Sequence, residues 1–369
     1  SSKKTVLILV GIMLSLLLSA LDSTVVSTAM KTIVEKLGGM QYYAWPFTIY
    51  MLCSTMAISV SGGLADIYGH KRMFLIGIIA FLTGSILCGI SGSMIQLIIF
   101  RGFQGIGGGM IVSGVFTVVA DLFEPKKRGK YTGIVTSMYG LASIIGPLLG
   151  GFVTDNFGWK WIFFLNLPLG IAAIIMIAIT MPNFKSDGQK KSVDYMGIAV
   201  LILAVTPLLL DLSMAGKDFK WLSIPCIGMF VFSAIMLVLF IFVENKSSNP
   251  MIPPAFFKDR AISVSFLIAF FSQAIMFSAI MYLPYFIQGV IGSTATASGV
   301  VITPMMLGLL LASNVTGILV SKIGKARTFS AFAFILMIVG EALLSTMGVD
   351  TTYSEAIFYM VILGFGVGM

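Results

Sequence analysis

Long apolar runs without charge constrain this chain more than any other feature. A bilayer core is crossed by about 20 apolar residues in helical form. Runs of that kind recur at 5–28, 43–64, 73–93, 97–120, 131–153, 161–181, 195–213, 221–243, 262–288, 296–320, 328–348 and 355–369. Twelve spans are therefore expected. Only 10% of the 369 residues are charged, against roughly 25% in a soluble domain, and the mean hydropathy is +1.02. A chain so poor in polar side chains cannot coat itself against water, which excludes a soluble enzyme, a nucleic-acid binder and a disordered protein. An all-α membrane protein follows, because a helix satisfies its own backbone polar groups in lipid. The first run is too long for a signal-peptide core and lacks a small-residue cleavage site, so it reads as a true span. The last run stops inside apolar sequence, and the natural protein is expected to continue past Met369.

Basic residues orient these spans. With the amino terminus cytoplasmic, the inside segments hold seventeen of the 23 basic residues, including Lys3, Lys4, Lys71, Arg72, Lys126, Lys127, Arg128, Lys130, Lys185, Lys190, Lys191, Lys322, Lys325 and Arg327. Lys31, Lys36, Lys160, Lys217 and Lys220 fall outside, and Arg101 lies within a span. That bias is the positive-inside pattern. Cys53, Cys88 and Cys226 each sit in an apolar run, offering neither a disulfide framework nor a zinc spacing, and the single histidine, His70, supplies no His-rich metal site.

Duplicated bundles are a common way to build such a chain. The loop after span 2, Gly62 to Arg72, contains Gly-Gly-Leu-Ala-Asp-Ile-Tyr-Gly-His-Lys-Arg; the loop after span 10, Gly317 to Arg327, repeats Gly, Leu, Gly and basic residues at the same offsets, with Ser321 in place of the acid. Two six-helix halves are expected: an amino-terminal bundle over 1–181, and an incomplete carboxy-terminal bundle over 261–369. Between them, 182–260 carries linkers (182–194, and a stretch with Pro250, Pro253 and Pro254) and two additional spans. Such an architecture has fourteen spans, of which the chain covers about twelve.

An ionised side chain at the centre of a span costs roughly 2.5–3.5 kcal/mol on insertion scales, so each one present calls for a reason. Asp22 lies in span 1, Arg101 near the start of span 4 and Glu341 near the middle of span 11; Asp121 and Asp211 sit at span ends. Asp22 reads as a carboxylate that alternately binds a proton and a cationic substrate, its proton affinity switched by burial and by a neighbouring arginine. The bland alternative is a static Asp22–Arg101 pair, although apolar packing replaces such a pair at little cost. Glu341 stands open between a coupling role and a structural one, and Asp211 reads as an interfacial end-residue.

Glycines at 102, 105, 107, 108 and 109 allow close helix approach; with neither a Lys-Ser ending nor a preceding strand, they form no phosphate loop. Pro147 removes a backbone donor within span 5. Among the plentiful aromatics, Tyr50, Phe103, Tyr139, Phe271 and Tyr282, together with Gln104, are weak candidates to line a cavity for flat hydrophobic ligands.

Taken together, these residues resemble the major facilitator superfamily, and within it the fourteen-spanner drug:proton antiporters, over essentially the whole chain. Leu21 to Val26 resembles the span-1 signature, which gives Asp22 a role in proton and cation handling. Leu97 to Gly109 resembles the span-4 signature, with Arg101 assisting proton coupling. Gly133, Gly146, Pro147, Gly150 and Gly151 fall on the span-5 antiporter signature associated with export, with Ala142 where that pattern has glycine. Trp159 to Gly170 is similar to a stretch common in the fourteen-spanner branch. In the loop signature, Gly62, Leu64, Asp66, Gly69 and Lys71 fit, while Ile67 and His70 stand where arginine is usual. The resemblance implies a cytoplasmic latch of Asp66, Asp121 and the residue at 70. His70 joins it only when protonated, making the latch weaker or pH-sensitive, unless Arg72 substitutes.

What the resemblance implies is a non-enzymatic exporter of lipophilic, often cationic drugs (dyes, quaternary ammonium compounds, some antibiotics), exchanged for protons by alternating access. Protons serve as the coupling ion, with no cofactor, metal or nucleic acid. The expected setting is a bacterial cell membrane, and the expected state a monomer. A proton-coupled transporter of one specific metabolite or antibiotic on the same fold is the alternative. A passive pore, and a receptor or scaffold that leaves Asp22 and Arg101 without a chemical purpose, are further rivals.

Overall fold

The computed structural model describes residues 2–182, 194–216, 220–247, 250 and 254–369. Most of the linker read at 182–194, with Lys185, Lys190 and Lys191, lies outside these residues, as do Lys217, Pro253 and the side chains of Lys3, Lys126, Lys127, Lys130 and Ser321. Among the described residues the chain is helical, with no β-strand. Its helices are α1 (Ser2–Leu37), α2 (Trp45–Tyr68), α3 (His70–Ile90), α4 (Met94–Leu122), α5 (Pro125–Phe157), α6 (Trp161–Phe164), α7 (Asn166–Thr180), α8 (Tyr195–Met214), α9 (Ile224–Lys246), α10 (Arg260–Gly289), α11 (Ala295–Ile323), α12 (Ala326–Ser345) and α13 (Tyr353–Gly368).

All twelve expected segments are helical, but not all are equivalent. Among the described residues ten are long and apolar enough to cross a membrane, α6 and α7 together making one of them. An eleventh emerges if Met40–Ile58 and Val60–Tyr68, which meet at 44° within α2, count as one span. The twelfth, α13, is a shorter apolar helix of 16 residues. Outward faces are hydrocarbon: Ile76, Ile79, Ile86, Ile95, Ile99 and Phe270 are all exposed, which is stable only in lipid.

Three buried hydrophobic clusters organise the interior. Two are built from α1 to α7, with α1 packed against α4, α5 and α7, and with α2 and α3 packed on α4; the third joins α10 to α13. The helix α8 packs chiefly on α9, so this pair forms a hairpin beside the rest.

Backbone turns explain the repeated loop. Gly69 (φ 94°) separates α2 from α3, and Gly324 (φ 72°) ends α11 before α12. Residues with a Cβ avoid positive φ, so both positions call for glycine, although the two turns differ: ψ is 135° at Gly69 and 6° at Gly324.

Close approach explains the glycine run of α4. A methyl on Gly105 would sit 2.5 Å from Tyr50 O on α2, and one on Gly107 would strike the Phe81 backbone on α3. One helix thereby meets two neighbours almost backbone to backbone. In α5, Gly146 and Gly150 face Thr24, Val25 and Thr28 of α1, whereas Gly151 abuts Ala295 and Thr296, and the Pro147 carbonyl abuts Gly299, on α11. Gly133 faces open space.

Candidate functional site

Asp22, on the middle of α1, is 2% exposed, and Arg101, on the first turns of α4, is 0% exposed. The Arg101 Nη1 donates to Asp22 Oδ2 and, at 2.8 Å, to Gln104 Oε1. Gln104 Nε2 donates to Asp22 Oδ1 at 2.8 Å, and Asn166 Nδ2 donates to the same oxygen at 3.2 Å. The guanidinium is fixed further by Nε donating to Pro46 O at 3.2 Å and by the ring of Tyr50, whose centroid lies 4.2 Å away. Tyr50 shares a hydrogen bond with Ser19 at 3.2 Å. Cys88 Sγ donates to Gln104 Oε1 at 3.5 Å.

Five helices, α1 to α4 and α7, converge here. Arg101 and Gln104 are three apart on α4 and share a face. The glycines beside them let α4 close on α2, which brings the Tyr50 ring under the guanidinium. Asn166 opens α7 just after the single-residue turn at Leu165, which keeps helical dihedrals, and two residues before Pro168, which has no N–H. One carbonyl at that turn, Phe163 O, accepts from Ser85 Oγ at 2.8 Å, and Ser85 Oγ in turn accepts from Asn166 Nδ2 at 2.8 Å. Charged groups this deep are held only by partners. Here the carboxylate has three side-chain donors, while Arg101 Nη2 has no hydrogen-bond partner.

Other expected residues lie elsewhere. Glu341 on α12 shares no hydrogen bond or ion pair with Asp22 or Arg101 among the described residues. Its Oε1 is buried without a partner, beside a cavity of about 240 Å³ bordered by Ser278, Tyr282 and Phe286 of α10. Tyr282 also borders a cavity of about 360 Å³ with Tyr43, Trp45 and Leu212. A third cavity, of about 370 Å³, lies between α2, α4 and α8. Asp22 and Arg101 line none of the three. Of the aromatic candidates, Tyr50 is buried beneath Arg101, while Phe103, Tyr139 and Phe271 are exposed. Asp211 is buried between α8 and α9 beside Cys226.

The loop residues form a separate cluster. His70 Nδ1 lies 2.5 Å from Asp121 Oδ2 and Nε2 lies 3.3 Å from Asp66 Oδ1. Lys71 Nζ donates to Ala178 O on α7 at 2.8 Å, and Arg72 is exposed. His70 itself, not Arg72, bridges the two acids.

Hydrogen bonds also join the two ends of the chain. Tyr43 Oη donates to Met281 O at 2.9 Å, and Gln288 Nε2 donates to Thr28 O at 2.9 Å. Asp155, at the end of α5, accepts from Ala295 N at 3.2 Å, Thr296 N at 2.8 Å and Thr296 Oγ1 at 2.5 Å. Asn166, Ser85, Cys88 and Asp155 were not picked out for roles by sequence reasoning. The signal for Asn166 was an amide beside Pro168 in an apolar run; a lone Ser or Cys in such a run carries none.

A bundle of lipid-compatible helices around a buried ion pair defines a membrane transport protein rather than an enzyme. Residues 12–369 match the profile of the Major Facilitator Superfamily, and the chain belongs to that family. It is 42% identical over 369 residues to the multidrug transporter protein MdtP of Bacillus subtilis (strain 168), covering 100% of this chain and 68% of that one. It is 39% identical over 364 residues to multidrug resistance protein 3 of the same organism (99% and 71% covered), and 31% identical over 339 residues to the rubrofusarin-specific efflux pump aurT of Gibberella zeae (90% and 62% covered). Among solved structures, a D-xylose–proton symporter aligns with TM-score 0.61 at 13% identity over 99% of this chain and 80% of its own. A peptide transporter aligns with TM-score 0.63 at 16% identity over 98% and 79%. These two likenesses concern the fold.

Proposed function

We propose that the chain is a proton-coupled antiporter of the fourteen-spanner type, exporting lipophilic and often cationic drugs by alternating access between two six-helix bundles. In this reading the amino terminus faces the cytoplasm of a bacterial cell, as the basic residues suggest, and the protein works as a monomer. The observation that carries the reading is the buried Asp22–Arg101 pair with its amide donors. When Asp22 is ionised, Arg101 balances it and the site is neutral. Protonation of Asp22 releases one positive charge's worth of attraction from the site, so proton binding and cation binding compete for the same carboxylate.

Two Bacillus relatives with multidrug names support drugs as the cargo class. A second reading, export of one specific compound, draws support from the rubrofusarin-specific name of a relative at 31% identity. Glu341, with its unpartnered oxygen, is assigned to neither role by its surroundings and is proposed as an auxiliary carboxylate in coupling. The loop cluster of Asp66, His70 and Asp121 is proposed as the cytoplasmic latch.

The test is a pH-jump assay in proteoliposomes with the full-length protein and a cationic dye. The native protein should move dye against its gradient when the proton gradient is imposed, and Asp22→Asn should not. Undiminished, gradient-dependent dye movement by Asp22→Asn would refute the reading. Uptake restricted to a single compound across a panel of cationic dyes would select the second one.

A further inference from the structure

We propose that Asn166 is a positioning residue for proton exchange: it holds the ionised form of Asp22 and ties that charge state to the break between α6 and α7. The inference rests on the reading of Asp22 as the exchanging carboxylate.

The geometry runs through four links. Asn166 Nδ2 has two hydrogens and two acceptors, Asp22 Oδ1 at 3.2 Å and Ser85 Oγ at 2.8 Å. Ser85 passes its own hydrogen to Phe163 O, one residue before the last residue of α6. The amide is 3% exposed, and the serine and arginine are fully buried, so water does not stand in for a lost partner. A hydrogen bond given to a carboxylate favours its ionised form, and Asn166 gives one that disappears in strength when the oxygen is protonated. The side chain is then left with Ser85 alone. Ser85 holds the Phe163 carbonyl, and Pro168, which has no N–H, leaves the next carbonyl, that of Phe164, without its donor four residues on, so a change in the pull on Asn166 is felt beside an interruption of the helical ladder.

Other titratable groups near Asp22 come from each neighbouring helix and do not replicate this link. Arg101 from α4 is its ion partner. Tyr50 from α2 lies on the far side of the guanidinium and Cys88 from α3 donates to Gln104; Tyr139 from α5 is within electrostatic range of Tyr50. Asn166 is the residue through which α7 touches the carboxylate.

The experiment measures the initial rate of proton-driven dye exchange against pH in proteoliposomes of the full-length protein, with native, Asn166→Ala, Ser85→Ala and Asp22→Asn chains. Asn166→Ala should move the midpoint of the pH curve to higher pH by about one unit, the size expected for losing one of three hydrogen bonds to a carboxylate. Ser85→Ala, which frees Asn166 to rotate without removing it, should move the midpoint the same way by a smaller amount, and it decides the matter if Asn166→Ala does not reach the membrane. A lowered rate with an unmoved midpoint in these variants makes Asn166 merely structural and overturns the inference while leaving Asp22 in place, provided Asp22→Asn is inactive. Retained pH-dependent exchange in Asp22→Asn overturns both.

Discussion

Replacing Asp22 by Asn preserves side-chain volume but removes the one negative charge facing a guanidinium that is 0% exposed. What remains for Arg101 is Gln104 Oε1, Pro46 O and the Tyr50 ring. Leaving one member of a buried pair uncompensated costs about 3–5 kcal/mol. Replacing both members by apolar residues, as in Asp22→Leu with Arg101→Met, removes the stranded charge. It deprives Gln104 and Asn166 of an acceptor, at about 1 kcal/mol each, and recovers the desolvation of two ions. The double variant should therefore fall within about 2 kcal/mol of the native protein, while Asp22→Asn alone falls at least 3 below it. Equilibrium unfolding in mixed micelles with increasing sodium dodecyl sulfate, followed by tryptophan fluorescence, reads these differences, and dye exchange is measured on the same preparations. The double variant should be stable and inactive. If Asp22→Asn is within 1 kcal/mol of native, or if the losses of the two single substitutions simply add, the guanidinium is balanced by something other than Asp22 and the account of the pair is wrong.

Three further outcomes are expected. The imidazolium of His70 supplies an N–H to both Asp121 and Asp66, whereas the neutral ring donates to one acid; the stability of the cluster proposed as a latch is full below the ring's titration and is lost as pH rises through it, by about 1 kcal/mol for a partly exposed pair. Hydrogen–deuterium exchange over 62–72, corrected for intrinsic rates, should show that loss in the native protein and none in His70→Arg. Gly107→Ala should destabilise by about 1–3 kcal/mol because its methyl meets backbone, whereas Gly133→Ala, in open space, should be neutral or gain about 0.5–1 kcal/mol; the same unfolding titration separates the two. Asp155→Ala removes the acceptor of three hydrogen bonds to the start of α11, and a loss of about 1.4 kcal/mol there would raise maleimide labelling of a cysteine at Thr28 about tenfold.

The positions of the helices and the central pair were readable because both rest on hard physical limits, although of the twelve spans expected ten, or eleven with the bent one, meet the length and hydropathy a membrane demands. Hydrocarbon admits few charges, so Asp22 and Arg101 stood out against their runs, and the structure joins them directly. The repeated Gly69 and Gly324 were readable as well, since a positive φ restricts the residue type. What escaped notice was relational. Sequence gives no sign that the side chains of Ser85 and Cys88 meet α7 and α4, because apolar helices accept serine and cysteine anywhere. Asn166 appeared only as part of a familiar stretch, since its role depends on a helix break whose direction the chain does not spell out. Span 6 was expected as one helix, and Trp161–Thr180 does run as one apolar span, with a single-residue turn at Leu165 between α6 and α7. Gln104 and Tyr50 were picked as cavity-lining candidates, and they instead complete the polar site around the pair.

The α5 helix carries small residues on two adjoining faces, about 100° apart, one set against α1 and the other against α11, and ends in a carboxylate that clasps the first amides of α11. Steric contacts of that kind tolerate sliding and tilting but resist separation only weakly, whereas the clasp resists separation at one extremity alone. The seam between α5 and α11 is thus fastened by hydrogen bonds at one end alone: once Asp155 lets go, close steric contact is what remains along it, and the bonds from Tyr43 to Met281 and from Gln288 to Thr28 are left to hold the neighbouring helices together.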